Sequence, residues 1–126
     1  MKSTAARKKQ VFEIRSTNAA TDDPIRDEFD DLVLNACRGD SRAVSAIAIA
    51  IGPTLLAEAR AVLAEFDQDA EEVLDDFLFR LLDGRLRFVP AHGRAMPWMC
   101  RMIHLIARRH RRERERDWAL DMEHET

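Results

Sequence analysis

The stretch DAEEVLDDFLFRLL, residues 69–82, carries the clearest structural signal in this chain. Its apolar residues recur at steps of three and four, the spacing of one face of an α-helix, and its carboxylates occupy the opposite face. Asp67 or Asp69 can cap this helix, and Asp83-Gly84 can end it. The pattern therefore predicts a rod about 20 Å long, with a buried apolar side and an acidic side that faces solvent.

Upstream of this stretch the sequence predicts a first helix over residues 24–37. Asp23 can cap it, and Pro24 suits its first position, where the N–H that proline lacks would have no partner. Gly39 follows as a left-handed stop between this helix and the next.

The second helix is predicted to begin at Ser41, which caps it. Gly52-Pro53 should bend or break it, because proline removes a backbone hydrogen bond and crowds the preceding turn. Residues 54–66 then restore the apolar stripe and are predicted to continue as helix.

Downstream, residues 83–95 contain two glycines and one proline and predict a basic, structured loop. A last helix should start near Pro97. The residues expected to point inward from it are Trp98, Met102, Leu105 and Ile106. Arg101, Arg108 and Arg112 fall on one face, which predicts a cationic ridge.

Together these elements predict an all-α protein, a compact bundle of four to five helices. Of the 126 residues, 46% are apolar and 34% are charged, and only four are glycine. This composition excludes a wholly disordered chain and disfavours a β-sandwich. We expect a flexible basic tail over residues 1–22, a helical domain over 23–117 and an acidic tail over 118–126. The apolar side chains of that tail could pack on the core, pair with a second copy of the chain or fray, and packing is the expected outcome; they are Trp118, Leu120 and Met122.

The net charge of −3 conceals strong segregation along the chain. Residues 1–21 carry +4, residues 22–83 carry −11, residues 84–116 carry +8 and the last ten carry −4. Blocks of opposite sign indicate faces that meet different partners, although any single run can simply be a solvated surface.

Catalysis has few candidate residues in this sequence. It lacks a glycine-rich phosphate loop and a serine nucleophile elbow, so we predict no enzyme activity, no catalytic residues and no cofactor. Cys100 and His104 lie four residues apart and, with His110 or His92, would make a weak zinc set; without paired cysteines no metal site is predicted. Two cysteines, no secretory leader and no unbroken apolar run near twenty residues predict a cytoplasmic protein that does not enter a membrane.

Three segments carry a family resemblance, which spans about residues 28–112. They are Ala36-Cys37-Arg38-Gly39-Asp40-Ser41-Arg42-Ala43, the residues 69–81 quoted above, and Arg87-Phe88-Val89-Pro90 followed by Gly93 to Met102. In order and spacing they resemble region 2 of RNA polymerase sigma factors of the extracytoplasmic-function (ECF) group. The resemblance implies a sigma region 2-like helical domain that docks on the clamp helices of the polymerase β′ subunit and contacts the minus-ten promoter element.

Carried onto this chain, the resemblance implies two sets of binding residues. The predicted polymerase-binding set is Glu72, Asp75, Asp76, Phe79 and Arg80. The predicted DNA-binding set is Arg85, Arg87, Phe88, Arg94, Arg101, Arg108, Arg111 and Arg112. Phe88 could stack on an unpaired base or simply anchor the loop, and Trp98 is expected to pack beneath the reading surface.

The chain departs from the family pattern at several positions. Leu105 stands where the family usually has an asparagine, Arg109 replaces an aspartate and Ala95 replaces a phenylalanine. Leucine cannot hydrogen-bond to a base edge, and the ten residues after Arg116 are too few for the family's second DNA-binding domain.

Three functions therefore stay open. The first is a stand-alone region 2-like initiation protein that binds polymerase and promoter DNA. The second is a sigma mimic that sequesters an anti-sigma factor or occupies polymerase without starting transcription. The third is a small regulator that binds duplex DNA unaided, with an affinity that falls steeply as salt rises.

Overall fold

A computed structural model describes residues 28–125, and these are all-helical: 88% of them lie in helices and none in strands. The all-α prediction is therefore confirmed. Four α-helices occur in the described part: α1 (Glu28–Cys37), α2 (Ser41–Leu63), α3 (Ala70–Leu82) and α4 (Ala95–Glu125). The predicted basic tail and the helix start at Asp23-Pro24 lie outside the described residues.

The turn between α1 and α2 forms around Gly39, whose φ of +90° is the predicted left-handed stop. The residue that caps α2 is Asp40 and not, as predicted, Ser41. The Asp40 carboxylate accepts hydrogen bonds from the backbone N–H groups of Arg42 at 3.0 Å and Ala43 at 3.4 Å. The prediction was wrong by one residue because both side chains are good caps, and only backbone geometry distinguishes them.

Helix α2 continues through Pro53, so the predicted break is absent there. Pro53 lies on the exposed side of the helix. Solvent there can hydrate the backbone carbonyl one turn earlier, which receives no hydrogen bond because proline has no N–H. The helix ends at Leu63 rather than residue 66, and a 3-10 segment, Ala64–Asp69, leads directly into α3.

This 3-10 segment contains the irregular backbone that the sequence placed at Pro53. Ala64 has a φ of +55°. Phe66 has non-helical angles. Since the segment joins α2 to α3 without coil, the described residues form three continuous helical stretches, and a bundle of four to five separate helices is not confirmed. The second 3-10 turn, Pro90–His92, lies in the loop before α4.

The core lies around α2, which packs against α1, α3 and α4. Its fully buried large side chains include Ile47, Leu55 and Leu63, with Phe77 and Leu81 from α3. At Gly52 a Cβ would meet the Leu74 side chain at 3.8 Å, so α2 and α3 approach closely beside the proline. Fully burying each such large side chain contributes about 1.5–3 kcal/mol to folding.

Helix α4 turns a different face inward from the one predicted. Ala95, Met99, Ile103 and Ala107, spaced by four residues, are fully buried. Of the four residues predicted to point inward, three are only partly buried: Trp98, Met102 and Ile106. Leu105 is 48% exposed, so the prediction that it points inward was wrong. The sequence offers apolar residues all around this part of the helix, so their periodicity alone did not select the buried face.

The end of α4 extends beyond the helices that it packs against. This helix has 31 residues, whereas α3 has 13. At the usual rise per residue α4 is about 46 Å long and α3 is about 20 Å long. Helix α4 continues across residues 117 and 118 to Glu125. Trp118 is 63% exposed, and Leu120 and Met122 are also exposed, so the prediction that they pack on the core was wrong.

One helical stretch, Ser41–Leu82, contains an 18-residue window with a mean hydropathy of 1.6, of which 28% is buried. By length and composition this stretch is apolar enough to cross a membrane, although its sequence holds no unbroken apolar run near twenty residues. The core helix of a globular protein meets the same criterion.

Candidate functional site

The acidic face of α3 has the orientation that the sequence predicts. Val73, Phe77 and Leu81 are buried on one side, while Glu72 and Asp75 are exposed on the other. The other three residues of the predicted polymerase-binding set lie beside them. Phe79 is 56% exposed. Arg80 Nε donates a hydrogen bond to Asp76 Oδ1 at 2.8 Å. We call Glu72, Asp75, Asp76, Phe79 and Arg80 the acidic face. Their carboxylates carry more negative charge than Arg80 neutralises.

The acidic face adjoins the basic loop at Phe79. The guanidinium carbon of Arg85 lies 5.7 Å from the centre of the Phe79 ring. This separation is within cation–π range. Arg85 Nε also donates to Asp83 Oδ2 at 2.7 Å. Gly84, with a φ of +75°, allows the chain to turn here at the end of α3, so Arg85 lies at the border between the two charged surfaces.

A buried carboxylate holds the basic loop to α1. Asp30 is only 2% exposed, and its Oδ1 accepts a hydrogen bond from the backbone N–H of Ala95, the first residue of α4, at 2.9 Å. Its Oδ2 lies 3.5 Å from Arg94 Nε. Asp30 thus caps α4 from another helix. Sequence reasoning missed it, although an acid three residues before the buried Val33 was a signal.

A pocket of about 340 Å³ lies between the loop and the start of α4. Arg87, Arg94 and Arg101 line it together with Phe88 and Trp98. Phe88 is only 4% exposed and its ring centre is 5.3 Å from that of Trp98. The stacking role predicted for Phe88 is therefore not available in this structure; Phe88 anchors the loop, the alternative that the sequence left open.

The α4 arginines predicted to contact DNA divide into two groups. Arg101, Arg108 and Arg112 are exposed or partly exposed, as expected for a ridge. Arg111 is not part of that ridge: its guanidinium lies 3.5 Å from both the Val62 carbonyl oxygen and the Glu65 carboxylate, on the side that packs against the 3-10 segment. The helix twist turns position 111 toward α2, away from the ridge, and a DNA-binding role for Arg111 stays a prediction.

A second polar cluster joins the start of α3 to α4. Asp69 occupies the N-cap position of α3, but its carboxylate makes no cap hydrogen bond. Asp69 Oδ2 lies instead 2.9 Å from His110 Nε2 and 3.3 Å from the Arg114 guanidinium, and His110 Nδ1 lies 3.8 Å from Glu72 Oε2. These residues come from distant parts of the sequence, so local patterns gave no signal.

The weak zinc set considered from sequence is not assembled. His104 Nε2 lies 2.6 Å from Glu58 Oε1, and His110 lies against Asp69. The two histidines therefore contact carboxylates on different elements rather than converging with Cys100.

Both cysteine thiols are shifted toward their neutral form. Burial raises the pKa of the Cys100 thiol, and the negative charge of Glu58 raises it further. Burial also raises the pKa of Cys37, against a lowering from a hydrogen bond to the Phe88 backbone. Both thiols are therefore weaker nucleophiles at neutral pH than an ordinary cysteine.

Comparison with known proteins found no match among family models, curated proteins or solved structures. The sigma resemblance thus stays a prediction, and the functional assignment depends on the geometry of this chain.

Proposed function

We propose that this protein is a sigma factor-like transcription initiation protein with a region 2-like helical bundle. Its acidic face binds the β′ clamp helices of RNA polymerase, and its basic loop and α4 ridge contact minus-ten promoter DNA. The observation that carries the proposal is the contact between Phe79 of the acidic face and Arg85 of the basic loop, the same loop whose Arg87 and Arg94 line the pocket. Cytoplasmic localisation and the absence of enzyme activity belong to the same proposal.

Charge and exposure favour a protein partner for the acidic face. Asp75 and Glu72 are exposed, while Asp76 is oriented by Arg80. Carboxylates fixed on a rigid helix attract a basic partner, and they set orientation and association rate more than raw affinity. Phe79 supplies an exposed aromatic ring among them, the residue type that anchors many protein interfaces.

The pocket suits an unpaired nucleotide. Arg87, Arg94 and Arg101 line it, and the partly buried Trp98, which packs on the buried Phe88, supplies an aromatic wall. Arginines neutralise phosphates without regard to sequence, and an aromatic wall favours a base that has left its stack. Arg108 and Arg112 extend the positive surface along α4.

The proposal is tested by a gel shift of promoter DNA with the full chain, with and without core polymerase. We expect a shifted complex only when polymerase is present, and we expect Asp75→Arg to abolish it because the change reverses a charge on the acidic face. Asp121→Arg is the matched control, since Asp121 is also an exposed helical carboxylate but lies on the end of α4. A polymerase-independent shift of duplex DNA would favour the small regulator instead, and no shift at any salt would reject the proposal.

A second function, the sigma mimic, has one observation in its favour. Leu105 is 48% exposed on α4, where the sigma resemblance implies an asparagine that can hydrogen-bond to a base. An exposed leucine suits a protein partner such as an anti-sigma factor better than a base edge. This function predicts binding to a purified anti-sigma factor that persists in high salt, with no gain in run-off transcription when the protein is added to polymerase. A gain in run-off transcription would exclude it.

A further inference from the structure

We propose that Asp69, Glu72 and His110 form a binding site for a first-row divalent metal ion, with Zn²⁺ as the best-matched ion. One ligand atom from each of the three residues lies within 4.8 Å of the other two. They come from three elements: the end of the 3-10 segment, the first turn of α3 and the middle of α4. A bound ion would therefore join α3 to α4. The proposal stands independently of any role in transcription.

The donor set matches zinc chemistry. Zinc accepts imidazole nitrogen and carboxylate oxygen at about 2.0–2.2 Å, so donors in a tetrahedral site lie about 3.4 Å apart. Asp69 Oδ2 lies 2.9 Å from His110 Nε2, close to that separation, whereas Glu72 Oε2 lies 3.8 Å from the other ring nitrogen, Nδ1, so Glu72 must turn to reach an ion bound at Nε2. A fourth position would remain for water.

Two of the three ligands are held in place before any ion arrives. The side chains of Asp69 and His110 are only 12% and 18% exposed, and they fix one another. Glu72 is 72% exposed, so rotation of its side chain can close the remaining gap.

The Arg114 guanidinium opposes a cation because it lies 3.3 Å from Asp69. It has another partner, however, since it also lies 5.2 Å from the centre of the Phe66 ring and is 43% exposed. The surrounding chain is strongly negative: residues 65–76 contain seven carboxylates and no lysine or arginine. These carboxylates offset part of the positive charge of α4. A divalent ion has to displace Arg114 from Asp69, and the Arg114 side chain, which is 43% exposed, can turn to solvent.

Zinc binding would change the acidic face, because Glu72 belongs to both sets. An ion that draws the Glu72 carboxylate toward His110 removes one negative charge from the surface that α3 presents to solvent. A metal ion at this site would therefore tune the charge of that surface.

The test is calorimetric titration of the full chain with Zn²⁺ in a buffer that does not chelate metals. We expect saturable one-to-one binding that Glu72→Gln weakens by more than about tenfold, the loss seen even when a supporting residue of a metal site is removed. Glu71→Gln is the matched control, because Glu71 is a neighbouring exposed carboxylate outside the cluster. It should bind as the unchanged chain does.

A second pair of variants separates this site from binding elsewhere. His110→Gln should abolish binding, whereas His104→Gln, which removes a histidine paired with a single carboxylate, should leave it intact. If His110→Gln does not fold, as circular dichroism without metal would show, the Glu72 and Glu71 variants decide alone, since both positions are exposed. No saturable binding, or equal binding by Glu72→Gln and Glu71→Gln, would overturn the proposal.

Discussion

At the scale of single residues, buried polar groups determine how the basic loop is held. Asp30 satisfies the first backbone N–H of α4 and lies beside Arg94, so one carboxylate links α1, the loop and α4. A helix end without such a partner leaves a buried donor unpaired, which costs more than the hydrogen bond itself contributes.

Asp30→Ala should therefore lower the free energy of unfolding by about 1–3 kcal/mol, measured by urea denaturation. Asp30→Asn should cost less, because its amide oxygen can still accept from Ala95. Asp75→Ala removes an exposed carboxylate, so it should change the free energy of unfolding by no more than about 0.5 kcal/mol. Equal effects of Asp30→Ala and Asp75→Ala would mean that the capping contact contributes nothing.

The cysteines allow a second prediction at this scale. Because the pKa of Cys100 is raised in the folded protein, its thiolate is scarcer there than in an unfolded chain at the same pH. Alkylation of Cys100 by iodoacetamide near pH 8 should be slower in the folded protein than in urea, and the difference should shrink as pH rises. The raised pKa also means that the thiol's contribution to stability is present below the unfolded pKa and is lost as pH rises through the folded one. Equal rates near pH 8 would contradict the raised pKa.

At the scale of elements, α2 is an unbroken helix with a proline in its interior. Pro53 removes one backbone hydrogen bond, and interior proline costs about 3 kcal/mol relative to alanine. Pro53→Ala should therefore raise the free energy of unfolding, measured by urea denaturation, by at most about 3 kcal/mol. Pro97→Ala is the control: Pro97 is the third residue of α4, where a missing N–H costs little, so stability should hardly change. A destabilised Pro53→Ala protein would show that α2 needs the proline.

The helices themselves were largely predictable from sequence, because apolar periodicity is a local signal. Helix α3 ends at Leu82, the last residue of the predicted stretch, and begins one residue later than predicted, and Gly39 has the predicted left-handed backbone. The buried face of α4 was not predictable in the same way, since Leu105 and Ile103 are equally apolar and only packing separates them. The partners in the Asp30–Ala95 and Asp69–His110 contacts lie 65 and 41 positions apart in the chain, beyond any local pattern.

At the scale of the whole molecule, charge is segregated onto adjoining surfaces while the core lies around α2. The final turns of α4 contribute little to that core, since Trp118, Leu120 and Met122 are all exposed. A chain that ends at Arg116 should therefore lose less than about 1 kcal/mol of unfolding free energy, measured by urea denaturation. Ile103→Ala, in the buried part of the same helix, should lose about 2–5 kcal/mol. A large loss on truncation would show that the end of α4 is packed in solution.

The most direct test of the central claim is the affinity of the protein for core RNA polymerase, measured at about 0.1 M salt so that charge effects are not fully screened. If the acidic face of α3 is the docking surface, Asp75→Arg should weaken binding by about tenfold or more, and Asp121→Arg should leave it unchanged. Equal affinities for the unchanged chain and both variants, or no binding by any of them, would contradict the account.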